Sequence, residues 1–160
     1  MKYKSQKVAY WFFALSMLLI VLQIIYGFIM GFAHMGYDGL HDWIPFNAAR
    51  ATHNNLLVVW LLSGFMGAAY YIIPEEAQQE LVSVKLAYIQ LITFALVGVV
   101  AIIGFHFGWY EGRKFLEIPR PLDWLVVINV LTFLGIIITT LFKGKVQSTT
   151  AMVLTMGLVF

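Results

Sequence analysis

One ionisable ring, His53, lies within an apolar stretch that is long enough to cross a membrane. Asn47 precedes this stretch, which predicts a helix that is capped there and runs over residues 48–73, where Pro74 would end it. At 1.5 Å rise per residue, His53 would lie roughly 9 Å beyond the cap, inside the bilayer but close to one face. Burying an imidazole among lipid tails is costly, so such a residue usually marks a ligand, ion or proton site.

The helix face that carries the histidine becomes flat further along the chain. Two glycines and an alanine on this face remove side-chain bulk, which would let a second helix or a planar macrocycle approach the backbone. Two interpretations therefore stay open: a packing histidine that hydrogen-bonds a neighbouring helix, or an axial ligand of a haem iron. At helical spacing, the face consists of His53, Leu57, Trp60, Gly64, Gly67, Ala68 and Tyr71.

The composition of the chain is that of an integral membrane protein. Of its 160 residues, 61% are hydrophobic and only 11% are charged, with a mean hydropathy of +0.84, which lies outside the range of soluble globular domains. The formal net charge is +2 and the basic residues are scattered, so no nucleic-acid partner is predicted. The absence of cysteine excludes disulfides, thiolate metal sites and covalent haem attachment within this chain.

Long apolar runs predict a single all-α membrane domain over residues 1–160, with four complete transmembrane helices and the start of a fifth. The complete spans are predicted at residues 8–32, 48–73, 84–107 and 122–142, and the partial span at residues 149–160. Each complete span can cross roughly 30 Å of hydrocarbon, whereas the partial one would need a further segment or another polypeptide. Lysines at positions 2, 4 and 7 predict a cytoplasmic N-terminus.

The connection between the third and fourth spans carries an unusual pair of cations, Arg113 and Lys114. By alternation of the spans, this connection lies on the same side of the bilayer as His53. The planar fork of an arginine and the point charge of a lysine suit paired carboxylates near a membrane surface, such as haem propionates. The alternative is an ordinary solvated loop in which these cations pair with Glu111 and Glu117.

Three segments of the sequence carry a family resemblance, the most distinctive of which is residues 45–76. The motifs are Met-Lys-Tyr-Lys-Ser-Gln at the start, Ile44-Pro-Phe-Asn-Ala-Ala-Arg50 leading to His53, Asn55-Leu-Leu-Val-Val-Trp60, Gly64-Phe-Met-Gly-Ala-Ala-Tyr-Tyr71, and Gly112-Arg-Lys-Phe-Leu-Glu117. Through these motifs the chain resembles the large subunit of the cytochrome c-dependent nitric oxide reductases, in the haem-copper oxidase superfamily.

The resemblance implies that the chain is the N-terminal part of a larger helical bundle in the bacterial inner membrane, which reduces nitric oxide to nitrous oxide. The complete subunit would hold a low-spin haem b, a high-spin haem b and a non-haem iron, with electrons supplied by a membrane-anchored cytochrome c subunit. On this resemblance His53 matches one axial ligand of the low-spin haem, and Arg113 lies near the haem propionates. Glu117 matches a glutamate associated with proton uptake from the outer face.

Lys114 departs from the family pattern. The matching residue is usually a glutamate that helps to bind a calcium ion between the propionates of the two haems. An ammonium group at this position could neutralise the propionates directly, so calcium is not predicted at this turn.

The remaining metal ligands of the family belong to later helices, so the 160-residue chain alone is not expected to be active. Two other functions stay open. One is the corresponding part of an oxygen-reducing cytochrome c oxidase of the same superfamily. The other is a small non-enzymatic membrane haem protein, which needs a second axial ligand, and His106 is the only other histidine near a predicted helix end.

Overall fold

The computed structural model describes residues 2–40, 42–113, 117–144 and 148–159 of the chain. Over these residues the protein is helical, and four of its helices are long and apolar enough to span a membrane. This confirms the predicted fold class. The elements are α1 (Ser5–His34), a short 3-10 helix (Asp38–Leu40), α2 (Phe46–Ala77), α3 (Val84–His106), α4 (Arg120–Lys143) and the shorter α5 (Thr149–Val159).

Helix α2 begins earlier and ends later than the sequence predicts. Pro45 rather than Asn47 occupies the N-cap position, and its extended backbone turns the chain into the first helical turn without a capping side chain. Pro74 lies inside the helix, in its last turn, although proline lacks an N–H and its ring crowds the carbonyl four residues earlier. The helix ends before Gln78, which adopts a left-handed conformation with φ of 47°. The other helices begin and end within about three residues of the predicted spans.

Helices α1 and α2 pack against each other in antiparallel fashion. The hydroxyl of Ser63 donates a hydrogen bond to the carbonyl of Phe12 at 3.0 Å, and the hydroxyl of Ser16 donates to the carbonyl of Trp60 at 2.9 Å. Inside a bilayer, helices associate through close packing and hydrogen bonds of this kind rather than through the hydrophobic effect. These two bonds therefore help to fix the register of the helix pair.

The glycines of the flat face on α2 are covered by α1. A Cβ atom added to Gly64 would lie 3.1 Å from the hydroxyl of Ser16, and one added to Gly67 would lie 3.1 Å from the Cβ atom of Phe12. Both contacts are tighter than ordinary van der Waals distance. The sequence leaves either a second helix or a planar macrocycle as the neighbour of this part of the face. In the structure the neighbour is a helix, α1.

A buried polar chain connects α2, α3 and α4. The hydroxyl of Tyr70 donates to the side-chain carbonyl of Gln90, and the amide of Gln90 donates to the backbone carbonyl of Asn129 at 2.6 Å. The ring of Tyr70 packs against Phe12 and Phe133. Because polar groups in an apolar interior must find partners, this series of hydrogen bonds fixes the three helices relative to one another.

The N-terminus of α1 and the connection between α2 and α3 lie at the same end of the bundle. The carboxylate of Glu80 accepts hydrogen bonds from the backbone N–H groups of Lys4 at 2.6 Å and Ser5 at 3.3 Å, which satisfies unpaired donors at a helix start. At the other end, Arg50 near the start of α2 pairs with Glu117 from the connection between α3 and α4. The connections therefore alternate as the sequence predicts.

Candidate functional site

The ring of His53 lies in the second turn of α2 and faces α1. Its Nδ1 atom is 2.9 Å from the backbone carbonyl oxygen of Gln23. A carbonyl oxygen can only accept, so Nδ1 carries the proton and donates it to this bond. In the neutral ring, Nε2 then keeps its lone pair, and no residue that the structure describes hydrogen-bonds to it. A histidine that is held through Nδ1 in this way is oriented to bind a metal through Nε2.

Gly27 allows the His53 ring to lie directly against α1. A Cβ atom at position 27 would be 3.0 Å from Cε1 of the ring and 3.2 Å from Nδ1. At Gly31, one turn further along α1, an added Cβ would meet nothing within 4 Å. Of these two glycine positions of α1, only Gly27, which faces the His53 ring, is closely packed.

Gln23 makes a second contact with the face of α2 that carries the histidine. Its side-chain oxygen accepts a hydrogen bond of 2.6 Å from the indole N–H of Trp60. One buried residue of α1 thus holds both His53, through its backbone, and Trp60, through its side chain. Sequence reasoning does not identify Gln23, although an amide within an apolar span is itself a signal, because it must find a partner there.

A second polar cluster surrounds Glu117, which is only 3% exposed. One of its carboxylate oxygens lies 3.0 Å from the guanidinium of Arg50, and the other accepts a hydrogen bond of 3.2 Å from the amide of Asn55. Arg50 and Asn55 flank His53 in the sequence of α2. The structure therefore brings the predicted site residue Glu117 to the helix segment that carries the predicted ligand, through two partners that sequence reasoning does not assign to it.

Arg113 forms ion pairs with one carboxylate of the connection between α3 and α4 and with one carboxylate in the first turn of α4. Its guanidinium lies 3.1 Å from Glu111 and 2.6 Å from Asp123, with the side chain about half exposed. Glu111 also accepts from the backbone N–H of Arg120. Although partial desolvation opposes it, the hydrogen bonds from Arg120 and Arg113 lower the pKa of Glu111. Pairing of Arg113 with Glu111 is what the solvated-loop interpretation predicts.

Lys114, the other predicted cation of this connection, lies outside the described residues.

Both ring nitrogens of His106 are occupied. Nε2 lies 3.1 Å from the hydroxyl of Tyr26, and Nδ1 lies 2.8 Å from the backbone carbonyl of Ile102. Because Nδ1 donates to the carbonyl, Nε2 accepts from the tyrosine hydroxyl. His106 is therefore not free in this arrangement to act as the second axial ligand that a small haem protein would need.

The donors around His53 suit a haem better than a bare metal ion. Within the described ranges, no group of three or more His, Asp or Glu side chains is placed to hold a metal ion. Any metal centre at His53 would therefore have this histidine as its one ligand from the described side chains. A haem fits such a site, because its macrocycle supplies the four equatorial nitrogens and needs only axial ligands from the protein.

Comparisons with known proteins give the family. Residues 7–160 match the family described as Cytochrome C and Quinol oxidase polypeptide I. The chain is 43% identical to a nitric oxide reductase subunit of Stutzerimonas stutzeri over 174 aligned positions, which cover 99% of this chain and 37% of that protein. It is 27% identical to the Cbb3-type cytochrome c oxidase subunit CcoN1 of Stutzerimonas stutzeri over 107 positions, which cover 66% of this chain and 22% of that protein.

The chain thus spans well under half the length of these two relatives. The similarity to the nitric oxide reductase subunit nevertheless extends over almost all of it, which confirms the resemblance that the motifs around His53 indicate. With its apolar helices and a family match that begins at residue 7 and runs to residue 160, the chain belongs to the cytochrome c and quinol oxidase polypeptide I family of helical haem-copper oxidase subunits.

Proposed function

We propose that this chain forms the N-terminal part of a nitric oxide reductase large subunit and that His53 is one axial ligand of its low-spin haem b. The observation that carries the proposal is the hydrogen bond from Nδ1 of His53 to the Gln23 carbonyl, which leaves Nε2 available for iron. The 43% identity to the nitric oxide reductase subunit of Stutzerimonas stutzeri supports the same function. The protein would lie in a bacterial inner membrane with its N-terminus in the cytoplasm.

The side chains around the histidine have positioning roles in this proposal. The carbonyl of Gln23 fixes the tautomer and the orientation of the ring, and Gly27 leaves room for the ring against α1. The indole of Trp60 holds Gln23 from the same side. When bound, the haem supplies one-electron transfer.

Glu117 is the residue that we assign to proton uptake, since reduction of nitric oxide to nitrous oxide consumes protons as well as electrons. Its carboxylate is buried beside Arg50, whose side chain is 39% exposed, so Glu117 lies near the surface at this end of the bundle. Asn55 holds the second carboxylate oxygen and limits its rotation. These contacts are suited to a group that is held in one orientation between proton transfers.

We assign Arg113 and Lys114 to the haem propionates. The Nη2 atom of Arg113 already contacts two carboxylates, Glu111 at 3.1 Å and Asp123 at 2.6 Å, and a haem propionate is a carboxylate as well. In the complete protein, one propionate would take the place of one of them. We further propose that the complete enzyme contains a high-spin haem b and a non-haem iron and receives electrons from a membrane-anchored cytochrome c subunit. These parts would be bound by polypeptide other than these 160 residues.

Oxygen reduction is the second candidate function, because the chain is also similar to a Cbb3-type cytochrome c oxidase subunit. The identity of 27% over 66% of the chain is lower and less extensive than the similarity to the nitric oxide reductase subunit. Gas-electrode measurements on the purified complete enzyme separate the two functions. We expect consumption of nitric oxide with formation of nitrous oxide, and rapid consumption of oxygen without nitric oxide turnover would favour the second candidate.

The haem assignment is tested with His53→Ala in the complete protein. We expect this variant to lose the low-spin haem b absorption bands, because the alanine side chain has no group that can bind iron. The matched control is His34→Ala, since His34 is an exposed histidine at the end of α1. Low-spin bands of wild-type intensity in His53→Ala would show that the histidine is only a packing residue.

A further inference from the structure

A small cavity lies between α2, α3 and α4 at the level of the Glu117 cluster. It leaves about 20 Å³ for the centre of a water molecule, and roughly 10–15 Å³ is enough to hold one. Its walls are largely apolar, and its polar groups come from Thr52 and Asn55 of α2. The apolar walls include Leu56, Phe94, Val97 and Ile118.

The hydroxyl of Thr52 is fully buried and has no hydrogen-bond partner among the described residues. The contrast lies within the spanning helices themselves, because the four threonines of α3 and α4 satisfy their hydroxyls by donating to the carbonyl four residues earlier. These are Thr93, Thr132, Thr139 and Thr140, at distances of 2.6 to 2.7 Å. A buried hydroxyl without a partner costs about 1–3 kcal/mol, so a hydrogen-bonding ligand in the cavity that Thr52 lines would stabilise the fold.

Asn55 offers the complementary group. Both of its amide N–H donors are used, one by the backbone carbonyl of Ala51 at 2.8 Å and one by Glu117 at 3.2 Å. Its side-chain oxygen accepts from no residue that the structure describes. A water molecule has two donors and two acceptors, so one molecule can satisfy both the Asn55 oxygen and the Thr52 hydroxyl.

We propose that Thr52 and Asn55 bind one buried water molecule, which extends the hydrogen-bonded cluster of Arg50, Glu117 and Asn55 inward to Thr52. The water fixes the side-chain oxygen of Asn55 and thereby keeps the opposite, N–H side of the amide directed at Glu117. This site depends neither on the haem assignment nor on a role of Glu117 in proton uptake.

The test is a structure of the complete protein at a resolution that shows ordered water, for wild type, Thr52→Val and Thr52→Ser. Valine keeps the shape of threonine without the hydroxyl, and serine keeps the hydroxyl. We expect water density at a hydrogen-bonding distance of roughly 2.7–3.2 Å from the residue 52 hydroxyl and the Asn55 oxygen in wild type and Thr52→Ser, and its loss in Thr52→Val. Thr93→Val is the matched control, and it should retain the water.

Wild-type density alone can overturn the proposal, even if Thr52→Val does not fold. A dry cavity, or a Thr52 hydroxyl that donates to the carbonyl of Ala48 as the other threonines do to theirs, would exclude the water site. Water that persists unchanged in Thr52→Val would show that Thr52 does not bind it.

Discussion

The Nδ1 atom of His53 lies 2.9 Å from the backbone carbonyl oxygen of Gln23, so a main-chain group of α1 orients a ring on α2. No substitution at position 23 removes that carbonyl. The orientation of the ring therefore depends on the distance between the two helices, and the absence of a side chain at Gly27 permits that distance. Any change in the packing of α1 against α2 at this point would therefore also change the orientation of the proposed ligand.

Substitution of Gly27 by alanine should disturb the histidine directly. The added Cβ would lie 3.0 Å from Cε1 of His53, so either the ring or α1 must move. Overpacking of this kind costs about 1–3 kcal/mol of stability. We expect weakened or shifted low-spin haem bands in the complete protein, measured by optical spectroscopy. Gly31→Ala is the matched control, because its Cβ meets nothing within 4 Å. Wild-type bands and stability in Gly27→Ala would contradict this account.

His53 and Glu117 could be selected as candidates from the sequence, but the residues that contact them could not. His53 and Glu117 attract attention because ionisable groups are costly near an apolar interior. Gln23 and Arg50, which hold them, are separated from them by long stretches of chain. Membrane helices are apolar on all sides, so hydropathy does not show which helix faces which. For the same reason, the flat face at Gly64 predicts a close neighbour without identifying it as α1.

The connection between α3 and α4 should loosen in acid. Hydrogen bonds from Arg120 and Arg113 lower the pKa of Glu111 below its ordinary value of 4.5, so the ionised form is the one that stabilises the fold. This stabilisation is present above pH 4.5 and is lost as the pH falls through the lowered pKa. We expect the backbone amide of Arg120, which donates to Glu111, to lose protection from hydrogen exchange over that range.

The control for this pH effect is Glu111→Gln, which cannot ionise. Its Arg120 amide should exchange faster than wild type at neutral pH and should show no further loss of protection in acid, after correction for the intrinsic exchange rate. Identical exchange in wild type and variant at every pH would rule out the role of the carboxylate.

Calcium chelation should leave the activity of the complete enzyme unchanged. A calcium ion beside the Lys114 ammonium would gain a like-charge neighbour, and one pair of unit charges at 4 Å costs about 4 kcal/mol at an effective dielectric constant of 20. We expect Lys114→Ala to weaken haem retention. Lys114→Glu restores a carboxylate and should make activity sensitive to chelators. Stoichiometric calcium in the wild-type enzyme, with activity lost on chelation, would contradict this prediction.

The ion pair between Arg50 and Glu117 should contribute far more to stability than the pair between Arg113 and Asp123. The side chain of Glu117 is 4% exposed, so Arg50→Gln leaves a buried carboxylate whose remaining described side-chain partner is Asn55. Loss of one member of a buried pair typically costs roughly 3–5 kcal/mol, and we expect about 3 because the Arg50 side chain is 39% exposed. The Arg113 side chain is 52% exposed, and Arg113→Gln should cost about 0–1 kcal/mol.

A double-mutant cycle separates the charge of Glu117 from the general packing of Arg50. Glu117→Gln keeps the shape of the side chain and removes the charge, so Arg50→Gln should cost about 2 kcal/mol less in that background than in wild type. Unfolding of the complete protein in detergent, followed by tryptophan fluorescence, measures all four free energies. If the two substitutions are additive within about 0.5 kcal/mol, then Arg50 does not stabilise the buried charge, and its 3.0 Å contact with Glu117 is only a packing contact.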